Sequence, residues 1–162
     1  RSIRVGGDKM DEAIIQYVKR KYNLSIGTGV SETIKINFGL ALPEDERKVM
    51  EIKGTNLVTG IPTTMVIRDE EIREALTESV NAIIEAMKGV LELTPPELAA
   101  DLVDKGIVLA GGGALLANLG TIVREETRLP VAIADDPLTC VVKGAGRVLD
   151  QLNLLRDVTI SS

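Results

Sequence analysis

The chain has no histidine and no tryptophan, one cysteine, and only two tyrosines and one phenylalanine in 162 residues. Each absence removes a class of function. Without histidine there is no Ser-His-Asp or Cys-His catalytic arrangement and no imidazole-ligated metal. Cys140 alone forms neither an internal disulfide nor a thiolate cluster. It reads as a small core residue and fits a reducing cytosol. Tyr17, Tyr22 and Phe38 are too few for a stacking platform on single-stranded nucleic acid. A net charge of −5 argues against a phosphate-backbone binder. No apolar run approaches a membrane span, and no signal peptide is visible. The chain opens with Arg1 rather than Met, inside a strand-like pattern, so it reads as a segment of a longer protein.

What remains is an aliphatic chain, 44% hydrophobic, long enough for one good core or two small ones. Its most informative stretch is Gly106-Ile-Val-Leu-Ala-Gly-Gly-Gly-Ala-Leu-Leu-Ala-Asn-Leu119. An aliphatic run stops at three glycines and an amphipathic helix carrying Leu115, Leu116, Leu119, Ile122 and Val123 follows. A buried strand, a glycine turn and a helix N-terminus suit a nucleotide. Glycine lets backbone approach a ring or phosphate, and unpaired N–H groups favour an anion. The same pattern also serves as a tight turn with no ligand. It lacks the Rossmann and P-loop spacings.

Upstream, residues 2–5 alternate as a short strand, and Asp8 caps a helix of Met10, Ile14, Tyr17 and Val18 that runs to about Tyr22. Asp8, Asp11 and Glu12 suit the dipole of its first turn. Ser31 caps a second helix to about Ala41, with Ile34, Phe38 and Leu42 inward. Glu32, Lys35 and Gly39 share another face. Pro43 opens an acidic loop. Residues 49–53 and 61–67 form a hairpin about a turn at 54–60, with Pro62 at a late start or an edge. Asp69 caps a long helix with Ile72, Leu76, Val80, Ile83, Met87, Val90 and Leu91 inward. Thr94-Pro-Pro-Glu97 reads as a capping box opening a helix of Leu98, Leu102 and Val103. Gly106 ends that helix, residues 107–110 and 130–134 are strands, and Asp135-Asp136 cap a last helix of Val141, Val142, Ala145, Val148, Leu149 and Leu152. Gly144 and Gly146 inside it imply close packing or ligand approach. Helix, strand, helix, strand, helix from Pro96 onward implies a parallel sheet with crossovers.

Five motifs, in order, resemble the second half of the MreB family of bacterial actins. They are Gly6-Gly-Asp-Lys-Met-Asp-Glu-Ala-Ile14, Ser31-Glu-Thr-Ile-Lys-Ile-Asn-Phe-Gly39, Leu93-Thr-Pro-Pro-Glu-Leu-Ala-Ala-Asp101, Gly111-Gly-Gly-Ala-Leu-Leu116 and Asp136-Pro-Leu-Thr-Cys-Val-Val-Lys-Gly-Ala-Gly146. The resemblance implies an α/β fold of the actin-like ATPase, ribonuclease H-like, class. Residues 1–6 and 88–162 would form a core subdomain, and 7–87 an inserted, mostly helical subdomain with a hairpin. ATP or ADP would lie in a cleft, with the adenosine against Glu32, Thr33, Ile34, Lys35 and Gly39 on one side and Gly111, Gly112, Gly113, Ala114 and Leu115 on the other. By itself a Glu–Lys pair three residues apart reads as a surface ion pair.

In the family, phosphate loops, Mg²⁺-organising acids and the water-positioning residue lie upstream of these motifs. The resemblance therefore implies that this segment does not hydrolyse ATP alone. It also places two strands upstream of this chain's first residue that would lie, in the sheet, between the 2–5 and 107–110 strands, so the core sheet would be incomplete here. It implies a cytoplasmic filament subunit, joined head to tail, that organises wall synthesis and rod shape at the inner face of the membrane. A RodZ-like anchor would be a partner, with no nucleic-acid contact and no direct membrane contact from this segment. The same fold serves chaperones and sugar kinases, and a stand-alone interaction domain with a vestigial pocket is a further alternative.

Overall fold

A computed structural model describes residues 1–39 and 48–150. Expectations that fall on Ala41, Leu42, the loop from Pro43 and Leu152 lie outside the described residues. The chain begins with α1 (Gly7–Tyr22), whose Met10, Ile14, Tyr17 and Val18 are buried. Gly6 precedes it as the N-cap residue, so Asp8 sits within the first turn rather than capping it. A two-residue strand, β1 (Leu24–Ser25), follows; it is too short to show any periodicity in sequence. Helix α2 (Thr28–Phe38) starts after Gly27. Ser31 is thus buried inside it, with its hydroxyl donating to the Thr28 carbonyl at 2.8 Å instead of capping.

Strands β2 (Val49–Asn56) and β3 (Pro62–Arg68) form the expected antiparallel hairpin. The order is β1-β2-β3, so β3 is an edge and Pro62 is its first residue, where no ladder donor is needed. The turn is shorter than the sequence suggested, because β2 runs through Gly54. A side chain there would stand 2.9 Å from Leu24 Cγ and strike the Ser25 carbonyl, so glycine admits β1 beside the strand.

Helix α3 (Asp69–Leu91) carries the largest inward stripe, with Ile72, Leu76, Val80 and Ile84 buried. Arg68 is its N-cap and Asp69 its buried first residue. Helix α4 (Pro96–Lys105) has the expected proline at its first position but no capping box. Thr94 turns its hydroxyl back to Val90 O at 2.9 Å, at the end of α3, and leaves Pro95 at the cap. Then come β4 (Ile107–Leu109), α5 (Leu119–Thr127), β5 (Val131–Ile133) and α6 (Cys140–Asp150). Strands β4 and β5 are parallel, in register Val108 to Ala132, as the alternating pattern requires. One core joins the two sheets: Met10 and Ile14 from α1, Ile34 and Phe38 from α2, Ile72 and Leu76 from α3, and Leu119 and Val123 from α5.

Residues 2–5 form no strand. A strand exists only against a partner, and among the described residues β4 pairs with β5 alone. The last helix is also not buried as expected. Val141, Val142 and Leu149 are 68%, 72% and 64% exposed, as are Leu98 and Val103 of α4 to a similar degree. Nothing lies within 4 Å of where side chains on Gly144 or Gly146 would sit, so close packing does not explain those glycines here. That helix begins only at Cys140, so Asp136 stands ahead of the cap position and not at it. Its backbone carbonyl accepts from Cys140 N at 2.9 Å, and its carboxylate accepts from Thr139 and Lys143. Those two, Lys143 first, lower its pKa.

A polar cluster fixes α1 to α3. Glu71, 11% exposed at the side chain, meets Lys21 Nζ at 2.7 Å, the Tyr22 hydroxyl, and the Arg68 N–H at 2.8 Å. Burial raises the Glu71 pKa, but Lys21, Tyr22 and the Arg68 amide together bring it below the usual carboxylate value. Burial, then the bond to Glu71, pushes Tyr22 up to about 12. A depressed folded pKa contributes stability above the unfolded value, about 4.3 for Glu, and loses it as pH falls through the folded value. Glu71→Gln is therefore expected to cost about 1–2 kcal/mol at pH 7. It should also flatten the fall in melting temperature below about pH 4.3. Thermal melts between pH 3 and 7 check this, and an unchanged acid limb in the variant would count against the cluster.

Candidate nucleotide site

The glycine turn leaves β4 at Gly111, whose φ of 82° is left-handed and open to glycine. Its N–H donates to the Pro137 carbonyl at 2.6 Å, tying the turn to the segment after β5. Gly112–Leu115 then make a single 3-10 turn, with Ala114 buried and Leu115 57% exposed. The chain does not continue straight into a helix, contrary to the sequence pattern. Leu116 is extended, Asn118 is left-handed, and α5 starts only at Leu119. The helix dipole therefore acts at Leu119 and not at the glycines.

Leu116 explains the break. It turns inward and is buried, and its Cδ1 would lie 2.5 Å from a Cβ on Gly39. Gly39 ends α2, with its N–H on the Lys35 carbonyl at 2.8 Å. The bare backbone of Gly39 thus seats the C-terminal end of α2 directly on the residue that follows the glycine turn. The two candidate motifs, distant in sequence, meet at this contact.

Along α2, Glu32 and Thr33 are exposed, while Ile34 is fully buried in the core. The Thr33 hydroxyl donates to Gly29 O at 2.8 Å. Glu32 and Lys35 do not pair with each other, which sets the surface ion-pair reading aside. Lys35 Nζ lies 2.7 Å from Asp11 Oδ2 and donates to the Gly7 carbonyl at 3.2 Å. Glu32 has no hydrogen bond or ion pair among the described residues. By sequence alone Asp11 is a first-turn acid and nothing more. Its partner is 24 residues away, on a helix packed across α1, and no local spacing signals that. The other oxygen of Asp11, Oδ1, is buried without a partner, a state that ordinarily costs about 1–3 kcal/mol.

A cavity of about 820 Å³ lies beside β4, lined by Ile3, Met87, Leu98, Leu102 and Val108 among others. It reaches Gly113 and Ala114 but none of Glu32, Lys35 and Gly39. Its apolar walls suit packing more than a nucleotide. The α2 face offers the polar groups: a free carboxylate to accept from hydroxyls, a held ammonium to donate, and glycine backbone without side chains. Among the described residues no group of three or more His, Cys, Asp or Glu is placed to hold a metal ion.

The parallel pair with its crossover helix, the glycine turn and the helix seated against it belong to the actin-like class of fold. The chain belongs to the MreB/Mbl family, whose sequence model matches residues 1–157. It is 47% identical over 154 residues to the cell shape-determining protein Mbl of Bacillus cereus, covering 95% of this chain and 46% of that protein. It is likewise 47% identical over 153 residues to the cell shape-determining protein MreB of Escherichia coli, covering 94% and 44%. The crystal structure of MreB5 of Spiroplasma citri bound to ADP superposes with a TM-score of 0.88 at 36% identity, over 94% of this chain and 46% of that one. The chain thus spans less than half the length of the relatives it matches.

Proposed function

We propose that this chain is the adenosine-facing part of an ATP-binding, actin-like filament subunit that organises bacterial cell shape and wall synthesis. The carrying observation is the seat of Gly39 on Leu116, which brings the C-terminal end of α2 against the residue that follows the glycine turn. The cell-shape names of its relatives and the ADP bound to MreB5 support the same reading. Glu32 would accept from ribose hydroxyls, Lys35 would donate to an oxygen or ring nitrogen, and Gly111–Ala114 would lie along the purine and sugar. ATP would supply differential contact energy that biases the subunit toward its polymer-competent arrangement.

In this reading residues 1–6 and 88–162 form the core subdomain and 7–87 its insertion. Phosphate and Mg²⁺ contacts would come from the part of the relatives' length that this chain does not span. Assembly would be head to tail, at the inner face of the membrane, through a RodZ-like anchor. Calorimetric titration of ATP into the chain tests the site. Saturable binding supports it, and heats indistinguishable from buffer would sink it.

A further inference from the structure

We propose that Asp11 is the positioning residue for Lys35. With the Gly7 carbonyl it holds the ammonium so that a single N–H remains for the nucleotide. This rests on the site reading above. A lysine ends a flexible four-carbon stem, and its compact charge has three equivalent donors. Left free on a helix face it would sample many rotamers, and ordering it on binding would lower affinity. Here it is already ordered. One donor goes to Asp11 Oδ2 at 2.7 Å and one to Gly7 O at 3.2 Å. The Lys35 and Asp11 side chains are only 17% and 14% exposed, so solvent and salt screen this pair less than a surface one.

The geometry around the pair is equally closed. A Cβ on Gly7 would stand 3.3 Å from Nζ, so the backbone of the first turn of α1 forms a wall of the lysine's seat. The second carboxylate oxygen of Asp11 is buried with no partner. A carboxylate placed only for the helix dipole would turn toward solvent; this one stays at Lys35 with one oxygen unsatisfied. There is also a consequence for ligand class. The positive charge of Lys35 is already matched by Asp11. What the site offers at this point is a directed hydrogen bond for a neutral acceptor, a ribose oxygen or purine nitrogen. It is not a free cation for a phosphate.

The test uses ATP and adenosine titrations of the chain and of Asp11→Asn, Lys35→Ala, the double variant and Asp11→Glu. Asp11→Asn is expected to weaken ATP about tenfold, as Lys35→Ala does, the size of one charge-assisted hydrogen bond. The double variant should lose no more than Lys35→Ala alone. A nucleotide-independent readout runs beside it: acylation of Lys35 by an amine-reactive reagent, followed by peptide mass analysis. Asp11→Asn should raise labelling of Lys35 several-fold, with the other lysines unchanged. If the Asn variant fails to fold, every lysine will label faster. Asp11→Glu then decides, because it keeps the charge and shifts the carboxylate by one methylene. It is expected to bind ATP several-fold more weakly while still unfolding in one cooperative thermal transition.

Wild-type ATP affinity in the Asp11 variants, or additive losses in the double variant, overturns the positioning role alone. No ATP binding by the unsubstituted chain overturns the site reading. In that case unchanged Lys35 labelling in Asp11→Asn overturns the positioning role as well, while increased labelling upholds the hold on the ammonium.

Discussion

Gly39→Ala is expected to destabilise the chain by about 3 kcal/mol, the upper range for forcing an added methyl into a packed site. For a chain of this size that is a fall of about 9 °C in melting temperature. The new Cβ would meet Leu116 Cδ1 at 2.5 Å and would strike the Lys35 carbonyl. Leu116 is a side chain and can swing away. The carbonyl belongs to the last turn of α2 and cannot move without opening that turn. Adding Leu116→Ala should therefore not restore the melting temperature: it removes the side-chain clash but leaves the closer one with the carbonyl, and truncating a buried leucine itself costs about 2–5 kcal/mol. Thermal unfolding followed by circular dichroism gives the answer. A melting temperature within a degree of the unsubstituted chain would mean that α2 does not sit on the glycine turn as described.

The second large effect concerns the ligand. Glu32→Ala is expected to weaken ATP tenfold to a hundredfold, the worth of about 1.5–3 kcal/mol for a hydrogen bond to a charged group. Its fold should be unaffected, because Glu32 is exposed and makes no bond among the described residues that the substitution could break. That separation makes Glu32 the cleanest probe of the site. Lys35→Ala is less clean, since it also leaves Asp11 without its partner and should lower the melting temperature. Unchanged ATP affinity in Glu32→Ala would favour a stand-alone interaction domain with a vestigial pocket.

The sequence carried the long elements well, because their signals are local. The stripe from Ile72 through Val80 in α3, the hairpin with Pro62 at its edge, and the parallel β4–β5 pair all follow from periodicity and punctuation. The failures share a cause as well. Asp8, Ser31 and Thr94 each look like a helix cap, yet neighbouring backbone supplied the cap position and their side chains bond elsewhere or lie within the helix. The helix expected to start at the glycines was broken by Leu116, whose burial against Gly39 is a long-range contact that no window of sequence contains.

The candidate site was legible in part for the same reason. Glu32, Lys35 and Gly39 fall on one helical face by spacing alone, and the glycine run marks itself. The contact of Gly39 with Leu116, and the hold of Asp11 on Lys35, depend on how α2 packs across the chain. Exposed apolar residues were the hardest to foresee. Val108, Val141 and Leu149 have core-like patterns, but nothing among the described residues covers them.

The central claim is that the α2 face and the glycine turn form one nucleotide site. Amide hydrogen exchange of the chain with and without saturating ATP tests it most directly. ATP is expected to slow exchange in peptides covering residues 28–39 and 111–116 together, with the hairpin at 49–68 unaffected. Protection of only one of the two segments, or of neither, would contradict it.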